Sequence, residues 1–454
     1  MGTSNVFRAY DIRGIVDVDF DLDWVEKLGK VIGTYFVSQG ISSAVVGYDC
    51  RKSSVDYNNA LVKGLLSTGV DVISIGMIPT PVLYFAVKYL NRHGGVMITA
   101  SHNPSQYNGF KIWAGESTIY GDEIQSIHKL FEVGSFASGQ GVLSFHDIIP
   151  SYMAAVEAWC KLLRPVKVVV DGGNGVGGTI CADILKRIGA EVTCLYCEPD
   201  GNFPHHHPDP VVEENMKDLA NKVKAEHADL GIGLDGDADR LGIIDSNGRL
   251  LFGDELLSIY ARELLVRKPG SIVIGDVKCS NRLFDDIQKH GGNPVMSATG
   301  HSIIKARMRE LNAPLAGEMS GHMFFSDGWY GFDDAIYGAA RLVSLFSAQE
   351  KPMSELPGWP PSFATREINI PCKDTIKFAV VEKVKNYFKS QYETIEIDGA
   401  RINFPYGWGL VRASNTQPVL VTRFEADTEE HLMSIRKEVE TPLMQWINEA
   451  KENV

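Results

Sequence analysis

Residues 95–104 read Gly95-Val96-Met97-Ile98-Thr99-Ala100-Ser101-His102-Asn103-Pro104. The apolar, β-branched first half of this stretch predicts a short buried strand, and its final Asn-Pro pair predicts a turn. Ser101 and His102 therefore lie where a strand gives way to a loop, which is a location that exposes side chains on a rigid support. A hydroxyl beside an imidazole suits catalysis, but a lone Ser-His pair also fits an ordinary surface turn.

Strands and helices alternate on both sides of this stretch. A helix is predicted from Asp23 to about Gln39, where apolar residues recur at helical spacing. Apolar strands that begin near Val166 and Ser271 are each followed by helices. This alternation indicates three successive α/β units with largely parallel sheets. After a break at residues 358–361, the chain mixes strands with two helices, which indicates an α+β unit.

Size and charge exclude several classes of function. The chain has 454 residues, of which 44% are hydrophobic and 22% charged, and this length suggests about three globular domains. A net charge of -13 disfavours non-specific nucleic-acid binding, but it allows an anionic small substrate in a local basic pocket. No apolar run is long enough to cross a bilayer, and the N-terminus has no signal-peptide pattern, so we expect a cytoplasmic protein.

The clearest chemical motif is Asp235-Gly236-Asp237-Ala238-Asp239-Arg240, which we call the aspartate loop. It follows an apolar strand, and in an extended segment residues two apart point to the same side. All three carboxylates can then converge on one hard cation, and they suit Mg²⁺ because they leave room for a phosphate oxygen. The alternative is a solvated acidic turn. An EF-hand is excluded, because Arg240 and Ser246 stand where that loop needs glycine and glutamate.

A glycine-rich segment, residues 171–178, lies between a predicted strand and a predicted helix, and we call it the glycine turn. Gly173, Gly175 and Gly178 satisfy the dinucleotide pattern G-x-G-x-x-G. The acidic residue expected about 20 residues later is only loosely matched, so a tight structural turn is the favoured interpretation. No P-loop motif is present in the sequence.

Three weaker patterns remain. His205-His206-His207 cannot all face one ion on a regular element, so we expect a loop that lines a cleft with one residue at most. Cys194 and Cys197 form a single C-x-x-C without a second pair to complete a zinc site, and we interpret them as buried structural thiols. The segment from Arg412 to Pro418 suits a phosphate cradle or, equally, a polar hairpin.

Together these motifs resemble those of the α-D-phosphohexomutases. The string from Thr99 to Pro104 is similar to the phosphoserine loop of that family, and we call it the serine loop. The aspartate loop, Gly317-Glu318-Met319-Ser320-Gly321-His322 (the sugar loop) and the Arg412 segment follow in the family's order. The resemblance covers essentially the whole chain and is greatest to the bacterial phosphomannomutase/phosphoglucomutase group.

The resemblance implies a fold class and its domains. It implies three related α/β domains with mixed sheets between helices, plus a C-terminal α+β domain, around a central cleft. The expected domains are 1–150, which bears the phosphoserine; 151–250, which binds the metal; 251–365, which recognises the sugar; and 366–454, which binds phosphate.

The resemblance also implies roles for individual residues. Ser101 is expected to carry the phosphoryl group and, with Asp235, Asp237 and Asp239, to hold Mg²⁺. The other implied catalytic residues are His102, Lys111, Arg13, Arg240 and His301. The implied substrate-binding residues are Tyr10, Lys278, His301, Glu318, Met319, Ser320, Gly321, His322, Arg412, Ser414, Asn415 and Thr416. Lys111, His102 and His301 are the candidates for proton transfer, and the sequence does not rank them.

The implied activity is reversible transfer of phosphate between the 1 and 6 positions of mannose and glucose phosphates. It would proceed through a phosphoserine enzyme and a hexose 1,6-bisphosphate, with glucose 1,6-bisphosphate as activator. Hexose phosphates are the expected partners of a monomer or homodimer, and the last domain is expected to close over the sugar to exclude water. Two alternatives stay open: an inactive sugar-phosphate binding protein, and a phosphoglucosamine mutase, a group that usually has glutamine where Met319 stands.

Overall fold

The computed structural model describes residues 6–414 and 417–452. Strands within these residues form four sheets that follow one another along the chain. The first three sheets mix parallel and antiparallel pairs and have helices packed against them, and the fourth is antiparallel. The predicted fold class is confirmed. Within the part of the chain that the structure describes, no helix is long and apolar enough to cross a membrane.

The first sheet carries the serine loop. Its elements are β1 (Ile12–Ile15), α1 (Leu22–Ser38), β2 (Ser43–Tyr48), α2 (Ser54–Leu66), β3 (Asp71–Met77), α3 (Thr80–Tyr89), β4 (Gly94–Ile98), β5 (Tyr107–Ala114), β6 (Ser117–Thr118), α4 (Asp122–Val133) and β7 (Leu143–Phe145). The strand order is β1-β5-β4-β2-β3-β7, with β6 beside β5. Because β4 is a central, fully buried strand, it fixes the position at which the serine loop begins.

The second and third sheets repeat this plan on a smaller scale. The second comprises α5 (Ile149–Trp159), β8 (Lys167–Asp171), α6 (Gly178–Arg187), β9 (Glu191–Leu195), α7 (Lys217–Glu226), β10 (Leu230–Leu234), β11 (Leu241–Asp245) and β12 (Leu250–Leu251). The third comprises α8 (Gly253–Arg267), β13 (Ile272–Asp276), α9 (Asn281–Lys289), β14 (Asn293–Ser297), α10 (His301–Leu311), β15 (Leu315–Gly317), β16 (Met323–Phe325) and α11 (Ala335–Ser347). Their strand orders are β12-β11-β10-β8-β9 and β14-β13-β15-β16.

The last sheet is antiparallel, and a short 3₁₀ helix, Met353–Glu355, precedes it. Its elements are β17 (Phe363–Ala364), β18 (Ile368–Pro371), α12 (Asp374–Lys389), β19 (Glu393–Ile395), β20 (Ala400–Phe404), β21 (Gly407–Ala413), β22 (Val419–Ala426) and α13 (Glu429–Glu452). The strand order is β17-β22-β21-β20-β19, with β18 beside β22.

One hydrophobic core includes residues of the first three units, and the first unit and the last sheet each have a further core of their own. The joint core includes a cluster of aromatic rings in which Phe85 of α3 contacts Tyr152 of α5 and Trp329 of the third sheet's loops. Val277, Trp408 and Leu410 form a small separate cluster between the third and fourth sheets. The first three units are therefore packed as one block, to which the fourth is attached by a smaller contact.

The structure corrects one interpretation of the sequence. Cys197 is buried as expected, but Cys194 is exposed, because β9 is the edge strand of its sheet and turns that side chain to solvent. The helices α4, α5 and α10 were also not anticipated from the sequence.

Candidate active site

Ser101 lies three residues after the end of β4 in a left-handed backbone conformation, with φ of 51°. Its side chain is buried, and its Oγ donates a hydrogen bond to Asp235 Oδ2 at 2.7 Å. His102 Nδ1 lies 3.1 Å from the same Oγ. A serine in this conformation is strained, and such strain persists only where surrounding contacts maintain it.

A buried arginine that the sequence did not single out holds the serine loop. The guanidinium of Arg51 donates to four carbonyl oxygens at 2.6–3.0 Å, those of Ser101, Asn103, Pro104 and Tyr107. Asp49 Oδ2 accepts from Arg51 Nε at 3.0 Å and balances its charge. Five planar donors in one rigid group suit this task, since each carbonyl fixes a different part of the loop.

The three carboxylates of the aspartate loop converge directly beside Ser101, and all are buried. Oxygen atoms of Asp235, Asp237 and Asp239 lie within 4.8 Å of one another. The loop is a turn, in which Ala238 has φ of 57° and Asp235 Oδ1 accepts from the backbone N–H of Asp239 at 3.0 Å. The predicted extended geometry is therefore wrong, although the predicted convergence of the carboxylates is present.

Lys111, on β5, reaches the same carboxylates from the first sheet. Its Nζ lies 2.7 Å from Asp237 Oδ2 and 2.5 Å from Asp239 Oδ2. Burial lowers the pKa of Lys111, but the two aspartates outweigh burial and raise that pKa well above its usual value. The ammonium is therefore charged at neutral pH and compensates part of the negative charge of the loop.

The two histidines proposed for proton transfer are neutral in this environment. Burial and the charges of Arg240 and Arg13 lower the pKa of His102 well below its usual value. Burial and the neighbouring Lys305 do the same to the pKa of His301. Neutral imidazoles can accept protons, whereas Lys111 in its charged form can only donate.

The sugar loop follows β15 in a tight turn. Glu318 N donates to His322 O at 2.9 Å, and Gly321, with φ of 90°, lies so close to Leu241 O that a Cβ would meet that oxygen at 2.5 Å. Glu318 Oε1 accepts from Gly300 N at 2.6 Å, and burial raises the pKa of Glu318. Within this turn Met319 is buried and Ser320 is half-buried.

One hydrogen bond connects the sugar loop to the aspartate loop. Arg240 Nε donates to His322 Nε2 at 3.1 Å. The predicted residues around Ser101 and those of the sugar loop are thereby parts of one continuous cluster.

A second cluster lies where the third and fourth sheets meet. Lys278 Nζ donates to Glu367 Oε1 at 2.8 Å, and Arg412 Nε donates to Asp398 Oδ2 at 2.9 Å. Ser414 Oγ accepts from a backbone N–H in the following turn. Asn415 and Thr416, also predicted here, lie outside the described residues. Two buried cations at one junction can bind a phosphate.

Tyr10 and Arg13, near the N-terminus, connect the serine loop to the third sheet. Arg13 Nη1 donates to Asn103 Oδ1 at 2.8 Å. Tyr10 OH donates to Thr299 O at 3.0 Å, and its ring contacts that of His301. All the catalytic, substrate-binding and metal-binding residues predicted from the sequence that the structure describes lie in or between these two clusters.

Four family models match the chain in sequence. They are the alpha/beta/alpha domains I, II and III of phosphoglucomutase/phosphomannomutase at residues 4–138, 150–248 and 252–361, and the C-terminal domain at residues 367–441. The chain belongs to the phosphoglucomutase/phosphomannomutase family. The family predicted from the sequence is thus confirmed.

Individual members of the phosphoglucomutase/phosphomannomutase family are similar over almost their whole length. The phosphomannomutase/phosphoglucomutase of Pseudomonas aeruginosa is 45% identical over 95% of this chain and 94% of its own. A phosphoglucomutase of Neisseria gonorrhoeae is 43% identical over 94% of each chain. The crystal structure of a family protein from Burkholderia thailandensis matches with a TM-score of 0.92 and 39% identity, covering 99% of this chain and 98% of the other.

The activity of this phosphohexomutase follows from these matches. It is an isomerase of the phosphomannomutase/phosphoglucomutase type, which interconverts hexose 1-phosphates and hexose 6-phosphates. Its buried aspartate triad is consistent with a metal site.

The glycine turn of the phosphohexomutase packs against the backbone of the aspartate loop. A Cβ on Gly175 would lie 2.6 Å from Gly236 O, and a Cβ on Gly178 would lie 2.8 Å from the Cα of Cys197. The glycines therefore allow close backbone packing, as the structural interpretation of this segment predicted. His205–His207 form a loop, as predicted, in which His206 Nε2 lies 3.1 Å from Asp171 Oδ2.

Proposed function

We propose that Ser101 carries the phosphoryl group that this phosphohexomutase transfers. The observation that carries the proposal is the 2.7 Å contact between Ser101 Oγ and Asp235 Oδ2, which places the hydroxyl against three buried carboxylates. Residues from the carboxyl ends of central strands in two different sheets meet at this point, which is where α/β proteins bind ligands. Ser101 is thus both activated by its neighbours and aimed at the interior of the site.

The aspartate loop fits Mg²⁺ on the chemistry of its donors. Asp237 Oδ1 and Asp239 Oδ1 are buried, and neither has a hydrogen-bond partner within residues 6–414 and 417–452. Together with Asp235 and a phosphate oxygen on Ser101, they form an all-oxygen ligand set of the kind that Mg²⁺ prefers. When bound, Mg²⁺ would neutralise charge on the transferring phosphoryl group. An Aspergillus fumigatus N-acetylphosphoglucosamine mutase with the same fold was solved with magnesium and a sugar 6-phosphate.

The proposed reaction consists of two phosphoryl transfers, one from Ser101 to the sugar and one from the sugar back to Ser101. O6 of a hexose 1-phosphate attacks the phosphorus of phosphorylated Ser101, the bond from phosphorus to Oγ breaks, and the proton of O6 passes through the site to Oγ, which restores the serine hydroxyl. The resulting 1,6-bisphosphate then reverses its orientation in the site. Oγ attacks the 1-phosphoryl group, the bond from phosphorus to O1 breaks, the proton of Oγ passes to O1, and hexose 6-phosphate leaves. His102, whose Nδ1 is 3.1 Å from Oγ, is the nearest proton acceptor, and His301 is the second candidate. A related Aspergillus mutase was solved with glucose 1,6-bisphosphate, which supports that intermediate here.

The two clusters have different proposed tasks: one neutralises charge on the transferring phosphoryl group, and the other positions the substrate. Lys111, Arg240 and Arg13 supply positive charge around the reacting phosphoryl group. We assign the sugar hydroxyls to the sugar loop, chiefly to Glu318 and Ser320. The phosphate that is not reacting is assigned to Lys278, Arg412, Ser414, Asn415 and Thr416, with Tyr10 beside them. Fixing one end of the substrate while the other reacts suits both of its orientations.

We further propose the four domains expected from the sequence, 1–150, 151–250, 251–365 and 366–454, as the units that carry these roles. Small hexose phosphates are the proposed partners, and the cytoplasm is the proposed location.

The experiment compares Ser101→Ala with Ser105→Ala, an exposed serine just after the same loop. Turnover of mannose 1-phosphate and glucose 1-phosphate is measured with Mg²⁺ and catalytic glucose 1,6-bisphosphate, and glucosamine 1-phosphate serves as comparison. We expect the first variant to lose turnover and to lack the added mass of one phosphoryl group, and the second to match the wild type. Activity retained by Ser101→Ala would refute the assignment.

The metal assignment has a separate test. Calorimetric Mg²⁺ binding is compared between the wild type, Asp237→Asn and Asp183→Asn, which replaces an exposed carboxylate of α6. We expect weaker binding only in Asp237→Asn. Equal affinity in all three proteins would remove the aspartate loop from the metal site.

A further inference from the structure

Behind the sugar loop lies a buried carboxylate to which none of the roles above applies. Asp333 is 0% exposed, and its backbone pairs with that of Phe324. Its Oδ1 accepts a hydrogen bond from Lys305 Nζ at 2.9 Å. Its Oδ2 lies 3.1 Å from His322 Nδ1 and 3.6 Å from His301 Nδ1. One carboxylate therefore contacts two histidines of the site and a buried lysine.

The opposite nitrogen of His322 fixes where the ring carries its proton. Arg240 Nε donates to His322 Nε2 at 3.1 Å, and a guanidinium always keeps its protons. Nε2 must therefore accept, so a neutral His322 carries its proton on Nδ1. Nδ1 lies 3.1 Å from Asp333 Oδ2 and 3.6 Å from Asp239 Oδ1. Neither Nδ1 nor Asp333 Oδ2 has a hydrogen-bond partner among the described residues, so the contact between them is the shortest one open to that N–H. The opposite tautomer would set two N–H groups against each other at Arg240 and a lone pair against the carboxylates.

The protonation of His322 also argues against a metal ion bound by Asp239, His322 and Asp333. Donor atoms of Asp239, His322 and Asp333 lie within 4.8 Å of one another, as the ligands of a metal ion would. A histidine nitrogen binds a metal only when it carries no proton. Because Nε2 accepts from Arg240 and Nδ1 carries the proton, His322 has no nitrogen to offer.

We propose that Asp333 is a positioning residue for phosphoryl transfer, which keeps His322 in the Nδ1–H tautomer and thereby keeps Arg240 in place beside the aspartate loop. The inference rests on the proposed function, in which Arg240 neutralises charge on the transferring group and His322 belongs to the sugar loop. Asp333 acts through His322 and not on the substrate. A carboxylate that selects the tautomer of an active-site imidazole can affect kcat by orders of magnitude.

The test is Asp333→Asn, which keeps the shape of the side chain but changes its hydrogen bonding. In this variant the Lys305 ammonium should donate to the amide oxygen, so the amide NH₂ is turned toward His322 Nδ1. A donor at that position favours the His322 tautomer that carries its proton on Nε2. We expect ¹⁵N spectra of the full-length enzyme to show the signal of His322, assigned by its loss in His322→Asn, move from the Nδ1–H to the Nε2–H pattern. We expect kcat to fall by about 10²-fold, in the range of other tautomer defects, and KM to change less than about threefold.

The matched control is the next residue. Asp334 is equally buried, but it accepts from Tyr152 OH, Trp329 Nε1 and Tyr337 N, all of which belong to the packing around α11. Asp334→Asn should lower Tm without altering the His322 tautomer, and its kcat should stay within about threefold of the wild type. If kcat fell in both variants in proportion to the decrease in Tm, Asp333 would have only a structural role. That result would overturn the proposal.

The wild type provides a readout that does not depend on how any variant folds. Its His322 must show the Nδ1–H pattern, and an Nε2–H pattern would overturn the proposal. The spectra require no turnover, so they report on Asp333 even if the assignment of Ser101 fails. Failure of the proposed function would instead appear as full activity in Ser101→Ala, with the His322 tautomer unchanged.

Discussion

At Ser101 the strained backbone depends on a side chain from another part of the chain. Arg51 precedes α2, yet its guanidinium joins the carbonyl oxygen of Ser101 to those of Asn103 and Pro104, which follow it. The side chain has no exposed surface, so its hydrogen bonds are not exchanged with water. The position of the Ser101 hydroxyl is therefore set largely by one arginine.

We predict that Arg51→Lys both destabilises the protein and slows turnover. Lysine keeps the charge but lacks the rigid fork, so several carbonyls of the serine loop lose their donor. We expect a loss of unfolding free energy on the order of 3 kcal/mol. Urea unfolding and kcat for glucose 1-phosphate are measured beside Arg92→Lys, an exposed arginine in the loop before β4. Identical behaviour of the two variants would show that Arg51 does not hold the loop.

The contrast between Ser101 and Arg51 explains which residues the sequence revealed. The spacing of the aspartates alone indicates a cation site, whereas the role of Ser101 is implied by the resemblance of the contiguous serine loop to that of the phosphohexomutases. Arg51 and Asp333 act through contacts that span 50 residues or connect separate loops, and nothing in their local sequence marks them. Their roles became visible only once the fold placed them beside the site.

Two glycines, one in the glycine turn and one in α11, differ in whether the structure has room for a side chain. Gly175 lies against the backbone of Gly236, where a Cβ would be 2.6 Å from the carbonyl oxygen. Gly338, inside α11, has its nearest neighbour 3.5 Å from the position of a Cβ, which is ordinary contact. The first glycine is required by packing, and the second is not.

We predict opposite stability changes for Gly175→Ala and Gly338→Ala. The first should lose about 1–3 kcal/mol of unfolding free energy through overpacking and should also weaken Mg²⁺ binding by displacing the aspartate loop. The second should gain up to about 1 kcal/mol, because alanine reduces the entropy lost when a helix forms. Denaturant unfolding checks both, and a stabilised Gly175→Ala would contradict the packing described here.

The first turn of α8 introduces a dependence of stability on pH. Burial raises the pKa of Asp254 from its usual 3.8 to about 6. Between these values the folded protein holds more of this proton than the unfolded chain, so the contribution of Asp254 to stability is fully present below pH 4 and is lost as pH rises through 6. This carboxyl should account for a loss of about 3 kcal/mol across that window.

We predict that Asp254→Asn removes this slope. The variant loses one acceptor for the backbone N–H of Glu255 or Ser280, which gives a constant offset in stability. Relative to the wild type it should therefore gain stability as pH rises from about 4 to 6. Urea unfolding at several pH values measures this, with the exposed Asp285→Asn as control for net charge. A difference that does not vary with pH would contradict the raised pKa.

Hydrophobic periodicity predicted many elements and failed where polar residues are buried. In α10 the inner face includes Ser302 and Lys305, and in β5 it includes Asn108 and Lys111, so neither segment shows a regular apolar pattern. These buried polar residues bond to partners on other elements, as Lys305 does to Asp333. Because the site itself requires them, the segments that are hardest to predict are those that build it.

For the whole molecule, the fourth domain is anchored on one side. Arg401, fully buried and stacked 3.7 Å above the ring of Trp408, donates to the carbonyl oxygens of Val277 and Cys279. Elsewhere an exposed ion pair joins the second and fourth domains, and exposed pairs contribute little. The fourth domain can therefore pivot about the buried contact while other contacts change.

We predict that hexose phosphate draws the fourth domain inward. Arg412 on this domain and the residues around Ser101 on the first must bind opposite ends of one small substrate, which requires a closed cleft. Small-angle scattering of Ser101→Ala with and without glucose 1-phosphate should show a smaller radius of gyration with ligand. Scattering curves that superimpose with and without ligand would contradict this prediction. Arg401→Met, which removes the buried contact, should widen the distribution of interatomic distances derived from scattering both with and without ligand.

The contact between Ser101 and Asp235 also bears on how the protein is made. The two residues are 134 positions apart, so at about 5–20 residues per second the ribosome supplies the acceptor on the order of ten seconds after the serine. Until then the newly made first domain has Ser101 without the carboxylates that surround it in the complete fold. We therefore expect a chain released before Asp235 is made to be inactive toward sugar phosphates, because Ser101 then lacks these carboxylates.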